Sequence, residues 1–209
     1  SNDIIKKIQQ TYEAENLIKS SLDNFINRPI SMMSSSKKRD IFKIIRTSTK
    51  QMAYKNGPRV AVIDIGGFDT HSIQSGDKGE LNSRLKIVDK LFKEIYQGLN
   101  SSFENSLVLT LTEFGRSIKQ NGGLGTDHGY GSVILMAGGL LKKNIIFTDW
   151  PGLNDQNLFE ERDLLSTIDS RSIYCSAMSA CFSKDFNYLK SKCFKEEKLQ
   201  NFAEKLFKV

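Results

Sequence analysis

The chain has 209 residues, of which 39% are hydrophobic and 26% charged, with 15 glycines and 3 prolines. This composition excludes a disordered, collagenous or low-complexity chain, and the length suits one large domain with its own core. The net charge of +6 arises in residues 1–57, which hold 11 Lys and Arg but 5 Asp and Glu. Since aromatic residues are not interleaved with these cations, we expect a solvated helix pair rather than a nucleic-acid surface.

From the given residues we expect neither a transmembrane helix nor a secretory signal. No apolar run approaches the roughly 18 residues of a transmembrane helix. The first residues, SNDIIKKIQQTYEAEN, lack both an initiator Met and the apolar core of a secretory signal, so we interpret the chain as a fragment or a processed protein. Cys175, Cys181 and Cys193 form no CxxC pair, which disfavours a zinc knuckle but leaves one disulfide open.

Residues 1–57 are predicted to form a helical segment. Apolar residues at helical spacing indicate a helix over 2–27, which ends at Arg28-Pro29 because a residue before proline avoids the helical region. The stretch MSSSKKRD is predicted to be a loop. A second helix is expected over about 38–55, and Asn56-Gly57-Pro58 ends it.

Residues 58–183 are predicted to form an α/β domain. Short apolar runs at 60–65, 106–112, 133–137 and 144–147 indicate buried strands, and amphipathic helices are expected at 80–99 and about 170–182. Crossovers of about 20 residues favour a parallel or mixed sheet with helices on its faces. Residues 184–209 are interpreted as a Lys-rich helical tail.

The two histidines of the chain lie in glycine-rich loops that follow predicted strands. His71 follows Asp64 and Asp69 in DIGGFDTH, and His128 follows Asp127 in GGLGTDHGYG. Loops at the carboxyl ends of parallel strands share one edge of a sheet. Imidazole and carboxylate groups together are ligands for zinc and manganese, so these residues are candidate ligands of one metal site or of two neighbouring sites.

Each histidine pattern also has a simpler interpretation, because an Asp near a glycine-rich turn often only caps that turn. What favours a site is that both histidines show the same context. At the end of the second predicted strand, Arg116 is a candidate clamp for an oxyanion, and Glu113 is a candidate ligand or support for Arg116. A structural salt bridge between the two is the alternative.

Nucleophile and nucleotide motifs give weaker signals. Ser72, Ser117 and Thr126 are candidate hydroxyls, but the chain has no GxSxG elbow. The second glycine-rich loop lacks the Gly-Lys-Ser/Thr of a phosphate-binding loop, which makes nucleotide binding a weak hypothesis.

Four motifs in this order resemble the C-terminal half of the DUF1501 family: IDIGGFDTHSIQ, LTLTEFGRSIKQNGGLGTDHGYGS, DWPGL and RDLLSTIDSRSIY. The resemblance covers roughly residues 58–182. That family is in turn similar to the alkaline phosphatase and sulfatase superfamily. The resemblance implies a three-layer α/β/α sandwich with a mixed, mostly parallel sheet, to which this chain adds N-terminal helices. Asp69 and His71 match one metal-ligand pair, with Asp64 as a further ligand, and Asp127 and His128 match the other.

The resemblance implies a metal-dependent hydrolase of phosphate or sulfate esters, or the metal-binding half of one. Such enzymes take a nucleophile and further ligands from an N-terminal half that has no counterpart before residue 58, so a missing segment or a partner chain would complete the site. Members are often exported, which suggests a periplasmic or exported parent. The alternative is a non-catalytic module that binds a metal, an anion or a partner protein.

Overall fold

The computed structural model describes residues 35–74, 78–195 and 198–208, with backbone alone for 35–40. The helix predicted over 2–27 and its end at Arg28-Pro29 lie outside these residues. Five α-helices are described: α1 Ser35–Met52, α2 Glu80–Leu99, α3 Ser170–Phe182, α4 Phe186–Cys193 and α5 Ala203–Leu206. Short 3-10 helices span Asn100–Asn105 and Asp155–Asn157. Among the described helices, none combines the length and the apolar character needed to cross a membrane.

From Phe42 onward, the described residues form one compact unit. The helices predicted over 80–99 and 170–182 are confirmed by α2 and α3. Helix α1 begins at Ser35, so the loop predicted over MSSSKKRD was wrong for its last six residues. The loop residues before Ser35 lie outside the described residues.

Helices α1 and α2 approach each other at Thr49 and Gly98. The residues Leu91, Ile95 and Leu99, spaced by one turn, are buried on α2. On α1, Thr49 is also buried. A Cβ atom at Gly98 would lie 1.8 Å from the Thr49 hydroxyl oxygen, so glycine is required for this approach of the two helices.

The described strands are short and pair antiparallel. Strand β1 (Val108–Leu109) pairs with β4 (Met136–Ala137), and β2 (Gly115–Arg116) pairs with β3 (His128–Gly129). Both pairs lie within the apolar or glycine-rich runs that predicted strands and site loops. A parallel sheet does not occur among the described residues, and the three-layer sandwich stays a prediction.

An apolar core of the described residues lies between α3, the C-terminal residues and the β1–β4 pair. Ile173, Ala177, Leu206 and Phe207 are buried there, and Phe207 has no exposed surface. Residues of the strand segments pack against them, including Leu107, Leu109, Ile134 and Met136. The Lys-rich tail is helical at α4 and α5, and its residues Leu206 and Phe207 belong to this same core.

Two of the predicted buried strands are not strands in the structure, and most of their apolar side chains are exposed. Residues 60–65 and 144–147 form no strand in the structure, and Val62 and Ile146 expose 88% and 93% of their surface. The prediction that these runs are buried was therefore wrong for this structure. A run of apolar residues becomes a buried strand only where another segment supplies backbone partners and a covering face.

Candidate metal centre

Backbone pairing brings the two glycine-rich loops together. The β2–β3 pair places Arg116 opposite His128. Further along, the N–H of Ile73 donates to the carbonyl of Gly123 over 3.0 Å, and the N–H of Gln74 donates to that of Leu124 over 2.9 Å. The first loop therefore lies directly along the second, as expected from the sequence, although the contacts are antiparallel.

Two glycines allow this close approach. A Cβ atom at Gly125 would lie 2.2 Å from the carbonyl carbon of His71, and one at Gly129 would lie 2.5 Å from that of Arg116. Real Cβ atoms do not approach backbone to such distances. Any larger residue at Gly125 would push the His71 loop away from the loop that carries His128.

Three side-chain atoms converge where the loops meet. His71 Nε2 and His128 Nε2 lie 3.2 Å apart, and each lies 2.9 Å from Asp69 Oδ1. We call Asp69, His71 and His128 the Asp-His-His cluster. About half of each of the three side chains is exposed, so a ligand from solvent can reach the cluster.

The spacing of these atoms fits a metal ion. Nitrogen and oxygen ligands about 2.0–2.1 Å from a tetrahedral Zn²⁺ lie about 3.3–3.4 Å from one another. The 3.2 Å between the two imidazole nitrogens is close to this value, and the 2.9 Å distances to Asp69 are slightly shorter. Two imidazoles and one carboxylate would leave a fourth position open on a tetrahedral ion.

Asp127 lies behind the cluster rather than within it. Its Oδ1 lies 3.6 Å from Nδ1 of His71, the ring nitrogen that is not part of the cluster. Asn121 donates to the same Oδ1 over 2.9 Å and to the carbonyl of His71 over 3.0 Å. Carboxylates behind metal-binding histidines orient the ring, so this position suits Asp127 as an orienting residue.

The Arg116 side chain is held by hydrogen bonds to both loops, and 22% of it is exposed. Its guanidinium donates to Asp69 Oδ1 and to the carbonyls of Thr70 and Thr126, and Nε donates to the Thr126 hydroxyl over 3.0 Å. These bonds connect the first loop to the second and fix the Asp69 carboxylate. The geometry favours a positioning role for Arg116 over the oxyanion clamp expected from the sequence.

The electrostatic surroundings keep both loop carboxylates ionised. The hydrogen bond from Arg116 is the main cause that lowers the pKa of Asp69, and His128 and His71 act in the same direction. The hydrogen bond from Asn121 is the main cause that lowers the pKa of Asp127, with a contribution from His71. An ionised Asp69 is the form that binds a cation.

The other candidate residues from the sequence lie outside the cluster. Asp64 and Glu113 are exposed, and neither forms an ion pair within the described part of the chain. The Ser117 hydroxyl donates to the carbonyl of Lys119 and accepts from the N–H of Asp127. The Thr126 hydroxyl donates to Gln74 over 2.6 Å. These two hydroxyls hold the loop in shape.

Sequence reasoning overlooked several residues that organise the site. Asn121 contacts both loops through its side-chain NH₂ group, and its oxygen accepts from the N–H groups of Gly123 and Gly125. Gln74 accepts from the hydroxyls of both Thr70 and Thr126. The ring of Phe114 stacks on His128 with centroids 4.1 Å apart. An amide just before a run of glycines is a signal that could have identified Asn121, since Asn side chains often bond the backbone of such turns.

Fold and site together define a small mixed helix and strand unit with a candidate metal centre on two glycine-rich loops. The chain belongs to the DUF1501 family, described as Protein of unknown function (DUF1501), whose profile matches residues 32–179. Comparison with curated proteins and with solved structures found no match. The match includes both loops and most of α3, and so contains the whole Asp-His-His cluster.

Proposed function

We propose that this chain is a metal-dependent hydrolase of phosphate or sulfate esters, or the metal-binding half of one. The observation that carries the proposal is the convergence of Asp69 Oδ1, His71 Nε2 and His128 Nε2 within 3.2 Å of one another. Zinc or manganese is the cation that suits these donors. Such a cation supplies Lewis acidity and activates water as a nucleophile.

The residues around the cluster have distinct roles in this proposal. Asp69, His71 and His128 hold the metal, and Asp127 orients His71. Arg116 fixes the Asp69 carboxylate and ties the two loops together. Glu113 and Asp64 remain candidate supporting groups, which would have to approach the cluster from their exposed positions.

The proposal includes the alkaline-phosphatase-like architecture as a hypothesis about the complete protein. Related enzymes take a nucleophile and further ligands from a segment before the region that corresponds to residues 58–182. A further segment or a partner chain would then complete the site, and an ester of phosphate or sulfate would be the substrate.

The direct test is the metal content of the purified chain and its affinity for added Zn²⁺ and Mn²⁺. We expect about one equivalent per chain, measured by elemental mass spectrometry after removal of loosely bound ions. His71→Ala and His128→Ala each remove one of three ligands and should abolish stoichiometric binding. Asp89→Asn changes an exposed acidic residue of α2 and is the matched control.

Two results would contradict the proposal. Full metal affinity in both histidine variants would show that the cluster is not the site. No binding by the wild-type chain, even with excess Zn²⁺ or Mn²⁺, would show that this chain alone holds no metal. Circular dichroism of each variant separates loss of the site from loss of the fold.

A specific observation favours a second candidate, a non-catalytic module that binds a metal or an anion. The hydroxyls of Ser117 and Thr126 are both engaged in hydrogen bonds within the loop, so neither is poised as a nucleophile. Turnover of aryl phosphate or aryl sulfate esters by the metal-loaded chain distinguishes the two. Binding without turnover supports the module.

A further inference from the structure

The segment 159–164 lies against the loop that carries the metal candidates. The N–H of Gly131 donates to the carbonyl of Leu164 over 2.8 Å. The rings of Tyr130 and Phe159 stack with centroids 4.3 Å apart and an angle of 20° between their planes. A backbone bond and a ring contact therefore attach this segment directly beside β3.

The segment forms a tight turn with an unusual backbone. Phe159 and Asp163 exchange two backbone hydrogen bonds, of 2.8 and 3.0 Å. Between them, Glu160 and Glu161 both have positive φ, of 51° and 54°. This left-handed conformation is unfavourable for residues other than glycine, and consecutive examples are retained where surrounding contacts enforce them. The next residue, Arg162, is thereby held in a defined position.

The guanidinium of Arg162 is fixed on one side by a buried carboxylate. Nε and Nη2 donate to the two carboxylate oxygens of Asp163 over 3.0 and 2.8 Å, and only 6% of the Asp163 side chain is exposed. Nη2 also donates to the carbonyl of His128 over 3.1 Å. In contrast, 57% of the Arg162 side chain is exposed. A buried acid thus orients a cation that still faces solvent beside a candidate metal ligand.

The positive charge of Arg162 offsets negative charge at the site. The guanidinium of Arg116 is already occupied by hydrogen bonds to Asp69 and to loop carbonyls. Arg162 is close enough to Asp127 for their charges to interact. An anionic substrate that approaches the cluster would meet the carboxylates of Asp69 and Asp127, so an exposed cation that bonds to the His128 carbonyl and interacts with Asp127 reduces the repulsion.

We propose that Arg162 is the anion-recognition residue of this site, which binds the tetrahedral oxyanion of a phosphate or sulfate group next to the Asp-His-His cluster. The inference rests on the proposed function for the identity of the neighbouring metal. It assigns binding of the oxyanion to Arg162, whereas the sequence predicted Arg116 for this role. An arginine with a carboxylate on one edge and solvent on the other can donate to an oxyanion in a fixed orientation.

The test is titration calorimetry with inorganic phosphate, and separately with inorganic sulfate, on the chain with and without one equivalent of Zn²⁺. Zinc affinity is measured on the same proteins. We expect Arg162→Ala to weaken anion binding about tenfold or more, as expected for a charge-assisted bond. Arg162→Gln, which keeps a donor for the His128 carbonyl, should lose as much anion affinity. Zinc affinity should stay within about twofold in both. The relative affinity of the two anions shows which ester the site prefers.

Arg171→Ala is the matched control, because Arg171 also pairs with a neighbouring acid, Asp169, at the start of α3. It should bind anions as the wild type does. Equal anion affinity in wild type and both Arg162 variants would overturn the inference, and so would no anion binding by the wild type. A parallel loss of zinc and anion affinity would also overturn it, because it would show that Arg162 only supports the His128 loop. Failure of wild-type zinc binding contradicts the proposed function instead, while the zinc-free titrations still decide the role of Arg162.

Discussion

The glycine-rich loops and the apolar runs at 60–65 and 144–147 differ in what holds them in place. The loops bond to each other through backbone groups and through Asn121, Gln74 and Arg116. The apolar runs join no strand among the described residues, and Val62 and Ile146 are almost fully exposed. Polar loops can satisfy their groups with near neighbours and with each other, whereas an apolar strand depends on a face supplied from elsewhere.

The largest expected effect is a loss of stability caused by a core substitution that leaves the metal affinity of the loops unchanged. Phe207→Ala removes a side chain with no exposed surface from the core beside α3, and should lower the free energy of unfolding by about 3–5 kcal/mol. Chemical denaturation measures this loss. Because the loops hold themselves together, zinc affinity at a temperature where the variant is folded should equal that of the wild type. A large loss of affinity would show that the site depends on the core.

The next prediction concerns the loop network itself. Asn121→Ala removes the side chain that bonds the His71 carbonyl, the Asp127 carboxylate and the backbone of Gly123 and Gly125. Loss of a residue that orients metal ligands through hydrogen bonds typically lowers metal affinity about 10–100-fold. Zinc titration against a chromogenic chelator provides the measurement. Asn144→Ala, at an exposed position outside the loops, serves as the control and should leave the affinity unchanged.

A smaller effect is expected at the start of α3, where Asp169 accepts a hydrogen bond from the N–H of Arg171. Asp169→Ala should cost about 1 kcal/mol of stability, the usual value for loss of a helix cap. The side-chain hydrogen bond from Arg171 is the main cause that lowers the pKa of Asp169.

Because its pKa is lowered in the folded state, Asp169 contributes to stability in a way that depends on pH. The folded state binds the Asp169 proton less tightly than the unfolded chain does, so the stabilisation is complete at neutral pH. It should be lost as pH falls below about 4 and through the folded pKa. Asp169→Asn keeps a capping oxygen but removes the charge. Its stability difference from the wild type, measured by urea denaturation, should therefore shrink over that range. A difference that is constant between pH 7 and pH 3 would contradict a role for the charge.

The smallest effect is expected where the apolar runs are exposed. Val62→Asn changes a side chain that is 88% exposed, and should alter the free energy of unfolding by no more than about 0.5 kcal/mol. Denaturation with urea tests this. A loss above about 1 kcal/mol would show that Val62 is covered in solution, and would remove the contrast between the two regions.

Prediction from sequence succeeded best where local periodicity decides the structure. The spacing of Leu91, Ile95 and Leu99 marks one face of a helix, and α2 buries that face. The prediction was poorer for strands, because the apolar run at 60–65 has the composition of a buried strand whether or not a partner strand covers it. The shared context of His71 and His128 predicted that the two loops meet, and the structure places their Nε2 atoms 3.2 Å apart.

The sequence by itself determined the helices α2 and α3, the membership of the family and the candidate metal ligands, because each depends on residues close together in the chain or on a motif. The tertiary structure decided which of those residues share a cluster, that Arg116 ties the loops together, and that Arg162 faces solvent beside His128. Apart from the contact of Asp69 with His71, these contacts join residues 34 to 59 positions apart. Such contacts depend on how the loops pack, and a single sequence does not encode their geometry in any local pattern.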